Sequence, residues 1–283
     1  MKPFIPDAWS GPSAQRTALT QTGHRPWPLP SRRWVMGQTW RQLLFAHWRI
    51  PPERIRRLVP HELALDVRDG AAWIGVTPFL VSALHVPGIP PLPWISAFAE
   101  TNVRTYVTVD GRPGIYFFSL DAARRLAVVA ARCAYRVPYY HAKIRVSEAD
   151  GWTHYALERF QRDGPAARLR VRYSPTGAPF RAAAGSLDHF LTERYCLYTM
   201  DSRGRVLRGD IHHRPWCLQA AEVELAESTM GQWLGLELPG APVLHLAQRQ
   251  DVLFWPLASV DASRQLDGFG ERGRDGAPEA ASA

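Results

Sequence analysis

Lysine is almost missing from this chain. Of its 34 basic residues only Lys2 and Lys143 are lysines, so chemistry that needs an amine nucleophile has few places to go. Cysteine is nearly as scarce. Cys133, Cys196 and Cys217 are odd in number and widely spaced, with no CxxC pair, which excludes the common zinc and dithiol frameworks and reads as reduced core cysteines. No stretch approaches the length of a membrane span, and the first residues lack the apolar core of a secretory signal, so a cytoplasmic protein is expected. There is no GxSxG elbow and no Walker A loop, which removes the commonest hydrolase and nucleotide-binding signatures. Gly268, Gly270 and Gly273 do spell GxGxxG, but too little chain follows to supply the helix and strand of a dinucleotide fold. No cofactor is expected.

What is present suffices for a large core. With 283 residues, 46% of them hydrophobic, a single sizeable domain is within reach. The net charge of +8 comes from arginines scattered along the chain, which serves solubility and weak anion attraction more than a nucleic-acid face.

The densest signals lie in the middle. From Phe98 to Thr108 the residues alternate, so that Phe98, Glu100, Asn102, Arg104 and Tyr106 share one side of a strand. Asp110 and Gly111 tolerate positive φ and return the chain as a hairpin partner. Asp121 reads as the N-cap of a helix running to Tyr135, stopped by Pro138. A second polar-faced strand then carries Tyr139, His141, Lys143 and Arg145. If both faces turn toward one cavity, Glu100, Arg104, His141 and Lys143 converge on a ligand; if they turn outward, they are solvated edges.

Around this centre the chain reads as short strands. Residues 1–33 are rich in Pro, Ser, Gly, Thr and Arg and are expected to form a flexible leader, with Trp9, Pro26 and Trp27 leaving room for part of it to dock. Trp40 to Ile50 reads as a buried strand with His47 as a hydrogen-bonded core histidine, and Pro51 to Leu58 as a short helix. Leu63 to Val81 reads as a hairpin about Asp69 and Gly70, and a proline-rich loop follows of the kind that lines a cavity mouth. Asp150 and Gly151 join two further strands. Arg168, Arg170 and Arg172 form a basic stripe, Ser186 caps a helix to Arg194, and strands follow at Tyr195 to Met200, Val206 to His213 and His245 to Phe254. His212 and His213, adjacent in an extended chain, point opposite ways and are poorly placed to hold one metal together, so no metal site is expected. Residues 259–283 read as a disordered tail, leaving one domain over 34–258.

The segments FAETNVRTYV, GRPGIYFFSLDA, VPYYHAKI, AHWRIPPERIRRLVP, SLDHFLTERYCLY and IHHRPW resemble the YqjF-like bacterial family, which is similar to the acetoacetate decarboxylase-like superfamily. The resemblance covers most of Trp40 to Leu218. It implies a mainly β fold with flanking helices, a curved antiparallel sheet closing into a cone-shaped barrel around a pocket. The decarboxylase works through a lysine Schiff base in a Pro-Lys-Lys motif. That motif falls here on Pro138, Tyr139 and Tyr140, neither tyrosine being able to form an imine. Lys143, four residues beyond Tyr139, could be a displaced nucleophile, and Glu100 resembles the superfamily's pocket glutamate.

Two functions follow as expectations. In the first, the barrel pocket receives a carbonyl or carboxylate compound, with Glu100, Asn102, Arg104, Tyr139, His141 and Lys143 as ligand-binding residues and acid-base rather than imine chemistry. In the second, the barrel is a non-catalytic scaffold or interaction protein, with Glu100 neutralised by Arg104. Nucleic acid through the arginine stripe is disfavoured for want of stacking aromatics or a recognition helix, no membrane partner is expected, and a homo-oligomer stays open.

Overall fold

A computed structural model describes residues 2–3, 11–92, 95–125 and 135–260. Its strands are β1 (Lys2–Pro3), β2 (Met36–Ile50), β3 (Ala64–Leu65), β4 (Ala72–His85), β5 (Phe98–Val109), β6 (Arg112–Ala122), β7 (Tyr139–His141) and β8 (Lys143–Ala149). They continue with β9 (Trp152–Arg159), β10 (Ala167–Pro175), β11 (Cys196–Met200), β12 (Val206–His213), β13 (Gln219–Ser228), β14 (Val243–Phe254) and β15 (Ala258–Ser259). Three α-helices accompany them among the described residues: α1 (Gly11–Ala18), α2 (Pro52–Arg56) and α3 (Leu187–Thr192).

Pairing runs from β14 through β2, β4, β5, β6, β11 and β12, and β12 pairs again with β14, so these strands make a ring. The contacts are antiparallel except at β6, which meets β11 and β7 in parallel. The expectation of a wholly antiparallel sheet is corrected there. Both partners reach β6 only after the chain has left its end and come back, and such a crossover brings them in running the same way.

A wing of β1, β8, β9, β10 and β13 continues from β14 and packs on the outside of the ring. This explains why β5 is buried on both faces. Its apolar side, with Ala99, Val103 and Val107, lies in one cluster with Tyr155, Leu157, Leu169 and Val171 of the wing. Its polar side is left to face the ring interior. Buried bonds pin wing to ring: the Tyr155 hydroxyl donates to the Glu100 carbonyl and accepts from Thr101 Oγ1, each at 2.9 Å, and Arg159 Nη1 pairs with Asp121 at 3.0 Å.

The hairpin at Asp110 and Gly111 forms as expected, with both residues at positive φ (51° and 72°). A bulge opposite Val103 and Arg104 gives β6 an extra residue at Phe118, which reverses the side-chain alternation of β6. Phe117 and Ile115 therefore pack inside the ring while Phe118 joins the outer cluster.

Four further expectations are corrected. Ala64–Leu65 pairs with β5 rather than β4, because both edges of β4 are already occupied by β2 and β5. Asp121 sits within β6 and accepts hydrogen bonds from Ser119 and Arg159 instead of capping a helix, and most of the helix expected after it lies outside the described residues. From Gly11 onward the expected leader is docked: Gln15 donates to Thr39 Oγ1 at 3.1 Å, Arg25 Nη1 donates to the Ile211 carbonyl at 2.7 Å, and Ala18 O meets His212 Nε2 at 2.8 Å. Specific polar contacts, which composition cannot register, hold this segment to β2 and β12. Finally, Cys217 is exposed, whereas Cys196 is buried as expected.

The arginine stripe of β10 is matched by acids on both neighbours. Arg168 pairs with Glu158 and Glu227, Arg170 with Glu227, and Arg172 with Glu224 at 2.6 Å. Such a face offers little net charge to a phosphate backbone.

Candidate functional site

The ring encloses a cavity of about 400 Å³. Its wall is mostly apolar, and its polar groups come from a few positions that the strand periods aim inward. Strand β5 contributes Phe98, Glu100, Asn102 and Arg104, each separated by one outward-facing residue. Gly75 stands opposite Arg104 on β4, and a Cβ there would lie 3.0 Å from the His47 ring and 3.3 Å from the Arg104 side chain. Glycine at this position leaves room for both.

Arg104 is only 5% exposed. Its guanidinium lies over the Phe45 ring at 5.1 Å, and Nη2 reaches the Tyr106 hydroxyl and the Leu191 carbonyl, both at 3.4 Å. Tyr106 donates to Leu191 O at 2.7 Å, so His47 Nε2, 2.6 Å away, must be the protonated nitrogen that donates to the Tyr106 oxygen. Burial, reinforced by Arg104, holds His47 well below the usual histidine range and therefore neutral. No carboxylate pairs with Arg104 among the described residues, and its Nε is buried without a partner. Arg194, the other arginine on the wall, is already matched to Asp66 at 2.6 Å.

Glu100 is 4% exposed, and burial raises its carboxyl to about 8, with the Tyr139 hydrogen bond opposing and Asp121 adding to the rise. It is mainly protonated at neutral pH. The Tyr139 hydroxyl donates to it at 3.2 Å. No ion pair joins Glu100 to Arg104 among the described residues, contrary to the self-neutralised arrangement expected of a scaffold. Asn102 Oδ1, the Tyr135 hydroxyl and Trp216 Nε1 are further buried polar atoms without partners, all on residues of this wall. Buried polar atoms are ordinarily satisfied, so these wall atoms are groups that a bound molecule can meet.

The structure thus brings Glu100, Asn102, Arg104 and Tyr139 together. His141 and Lys143 are not among the lining residues. Strand β7 follows β6 only as far as His141, which pairs with Ala122, and the chain then crosses to the wing, where Lys143 is exposed on β8 opposite Glu158. The second polar face is split: Tyr139 and His141 stay beside β6, and Lys143 and Arg145 lie on β8 of the wing. Trp40, Arg194, His213 and Trp216 also line the cavity and were not singled out as ligand-binding from sequence. The segments of Arg194, His213 and Trp216 carry the family resemblance, but nothing local in them or around Trp40 marks an inward side chain.

Superposition on solved structures places the chain among proteins of the acetoacetate decarboxylase-like fold. It superposes on acetoacetate decarboxylase from Legionella pneumophila with a TM-score of 0.57, at 9% identity, over 84% of this chain and 94% of that one. It also superposes on the enduracididine biosynthesis enzyme MppR complexed with pyruvate, with a TM-score of 0.58, at 12% identity, over 84% and 93% of the two chains. At such identities the likeness concerns the fold alone. The chain belongs to the DUF2071 family, described as an uncharacterized conserved protein, whose model matches residues 37–251. It is 46% identical over 230 residues to the uncharacterized protein YqjF of Bacillus subtilis, covering 81% of this chain and 94% of that protein.

Proposed function

We propose that the ring cavity binds a small carbonyl- or carboxylate-bearing compound, with Arg104 taking the carboxylate and Glu100 exchanging a proton with the carbonyl region. The observation that carries this reading is Arg104 itself, a cavity-wall guanidinium that is buried and lacks a carboxylate partner among the described residues. Leaving a buried charge uncompensated is costly, and a ligand carboxylate supplies the missing counter-ion with matching fork geometry. Asn102 and Tyr135 offer further hydrogen bonds.

Glu100 suits proton exchange for a separate reason. A carboxyl titrating near 8 can donate a proton at neutral pH and accept one back without a large driving force either way. Among the described residues no lysine lines the cavity, so the chemistry runs through hydrogen bonding and proton transfer rather than an imine. Pyruvate is bound by MppR, a protein of the same fold, which makes oxo acids sensible first probes.

Titration calorimetry with pyruvate, acetoacetate, 4-oxopentanoate and phenylpyruvate tests the proposal. At least one oxo acid binds the native protein and loses affinity by tenfold or more in Arg104→Met, while Lys143→Met binds as the native protein does. Borohydride added to the complex leaves Lys143 unmodified by mass. Equal affinity in Arg104→Met, or a reduced adduct on Lys143, overturns the reading.

A further inference from the structure

Polar and apolar groups are not mixed at random on the cavity wall. The groups at one end, Arg104, Thr192, Arg194 and His213, are all buried, and α3 closes that end through the Leu191 carbonyl. At the other end stand Val35 and Val86, which are 37% and 41% exposed, with Leu84 and Phe98 just inside them. The apolar surface continues outward into the loop after β4, where Ile89 and Leu92 are 52% and 51% exposed. Exposure therefore fixes the direction of the cavity, a charged floor leading to an apolar rim.

Strand β5 measures the distance between them. Phe98 and Arg104 lie on one face six residues apart, about 20 Å along an extended strand. Because Arg104 Nη2 reaches toward α3, the guanidinium leans to the floor and away from Glu100. A carboxylate held there leaves the rest of its molecule to extend past Asn102 and Glu100 toward the rim. A three-carbon oxo acid displaces only a few waters of about 30 Å³ each, whereas the cavity matches the range of about 300–1,000 Å³ typical for larger ligands. The remaining wall would then face poorly hydrated space.

Building on the carboxylate reading, we infer that the natural ligand is an elongated amphiphilic monocarboxylate. Its head sits on Arg104, and its aliphatic or aryl body fills the upper ring, with the tail at the rim formed by Val35 and Val86. Glu100 then acts on a position several bonds from the carboxylate.

Calorimetry with unbranched carboxylates from acetate to decanoate, and with 4-phenylbutyrate, tests this. Affinity is expected to rise about fourfold per added methylene, the equivalent of about 0.8 kcal/mol, and the gain stops once the chain reaches the rim. Val86→Asp, an exposed substitution that spares the floor, is expected to weaken the longest acids by tenfold or more and to leave the short ones unchanged. Arg104→Met weakens all of them. An affinity independent of length, or short acids binding as tightly as long ones, overturns this inference while leaving the carboxylate site standing. If acids of every length bind Arg104→Met as they bind the native protein, or bind neither, the underlying carboxylate reading fails with it.

Discussion

Replacing Glu100 by glutamine isolates the energetic consequence of burying an acid in the ring. The carboxyl titrates near 8 in the folded protein against an ordinary value of 4.5. Between those pH values the unfolded chain is ionised and the folded chain keeps its proton, so the folded state binds more protons and stability falls as pH rises. Below 4.5 the contribution is fully present; above about 8 it is lost. At about 1.4 kcal/mol per pH unit the whole window amounts to about 5 kcal/mol, of which about 3 kcal/mol has gone by pH 7. Glutamine keeps an oxygen to accept from Tyr139 and does not titrate. Glu100→Gln is therefore expected to gain on the native protein steadily from pH 5 to pH 8. For a chain of this size each kcal/mol moves the melting temperature by about 2–4 °C, so the separation at pH 8 reaches about 10 °C. Asp121, which burial raises to about 6, titrates in both proteins and cancels to first order in the difference. Melting curves of the two proteins at pH 5, 6, 7 and 8 decide the matter, and parallel pH profiles would refute the account.

Other outcomes follow from the same contacts. Tyr139→Phe removes the hydrogen bond that favours the Glu100 carboxylate, so the pH at which stability levels off is expected to move upward by about one unit, read from the same melting series. A bound carboxylate meets a neutral Glu100 below about 8 and an anion above it; its affinity should fall as pH passes 8 in the native protein but not in Glu100→Gln, measurable by calorimetry at pH 7 and 9. Asp121→Asn leaves the Arg159 guanidinium, whose side chain is fully buried, without its counter-ion and is expected to cost about 3–5 kcal/mol in urea unfolding. Asp121→Asn combined with Arg159→Met should cost less than Asp121→Asn alone, since the uncompensated charge is then gone.

Much of the ring could be read from residue order because its signals are local. The alternation from Phe98 to Tyr106, the Asp110 and Gly111 turn, the Ser186 cap and the strand through His47 all depend on neighbours in sequence, and all are present. Glu100, Asn102 and Arg104 were legible as one face for the same reason. Which way that face points was not, because antiparallel sheets commonly send polar residues to water. The wing reverses that rule by covering the apolar side, and nothing within β5 announces a second sheet. His141 and Lys143 were misplaced by the same blindness: alternation continues smoothly from Tyr139 to Arg145, while the chain changes sheets between His141 and Lys143. The bulge at Phe118 is equally silent in sequence, although it decides which phenylalanine enters the cavity. Docking of α1 and Arg25 depends on partners 24 to 194 residues away along the chain, beyond the reach of any local pattern.

The interior of the ring is desolvated, and it acts on whatever titrates inside it. Burial disfavours charge of either sign, so an enclosure that would lower a lysine toward neutrality raises a carboxyl toward the same region. Glu100 arrives near 8 by this route with no cation in hydrogen-bond contact, and Tyr139 tempers the rise by donating to it. Arg104 cannot be discharged in the same way, because a guanidinium holds its proton at any physiological pH. With Arg194 matched to Asp66, the described wall therefore carries one acid that burial can neutralise and one cation without a carboxylate that it cannot. At neutral pH that leaves the wall with an uncancelled positive charge at the floor and a proton donor nearer the rim, two demands that a carboxylate with a carbonyl further along its chain would meet together.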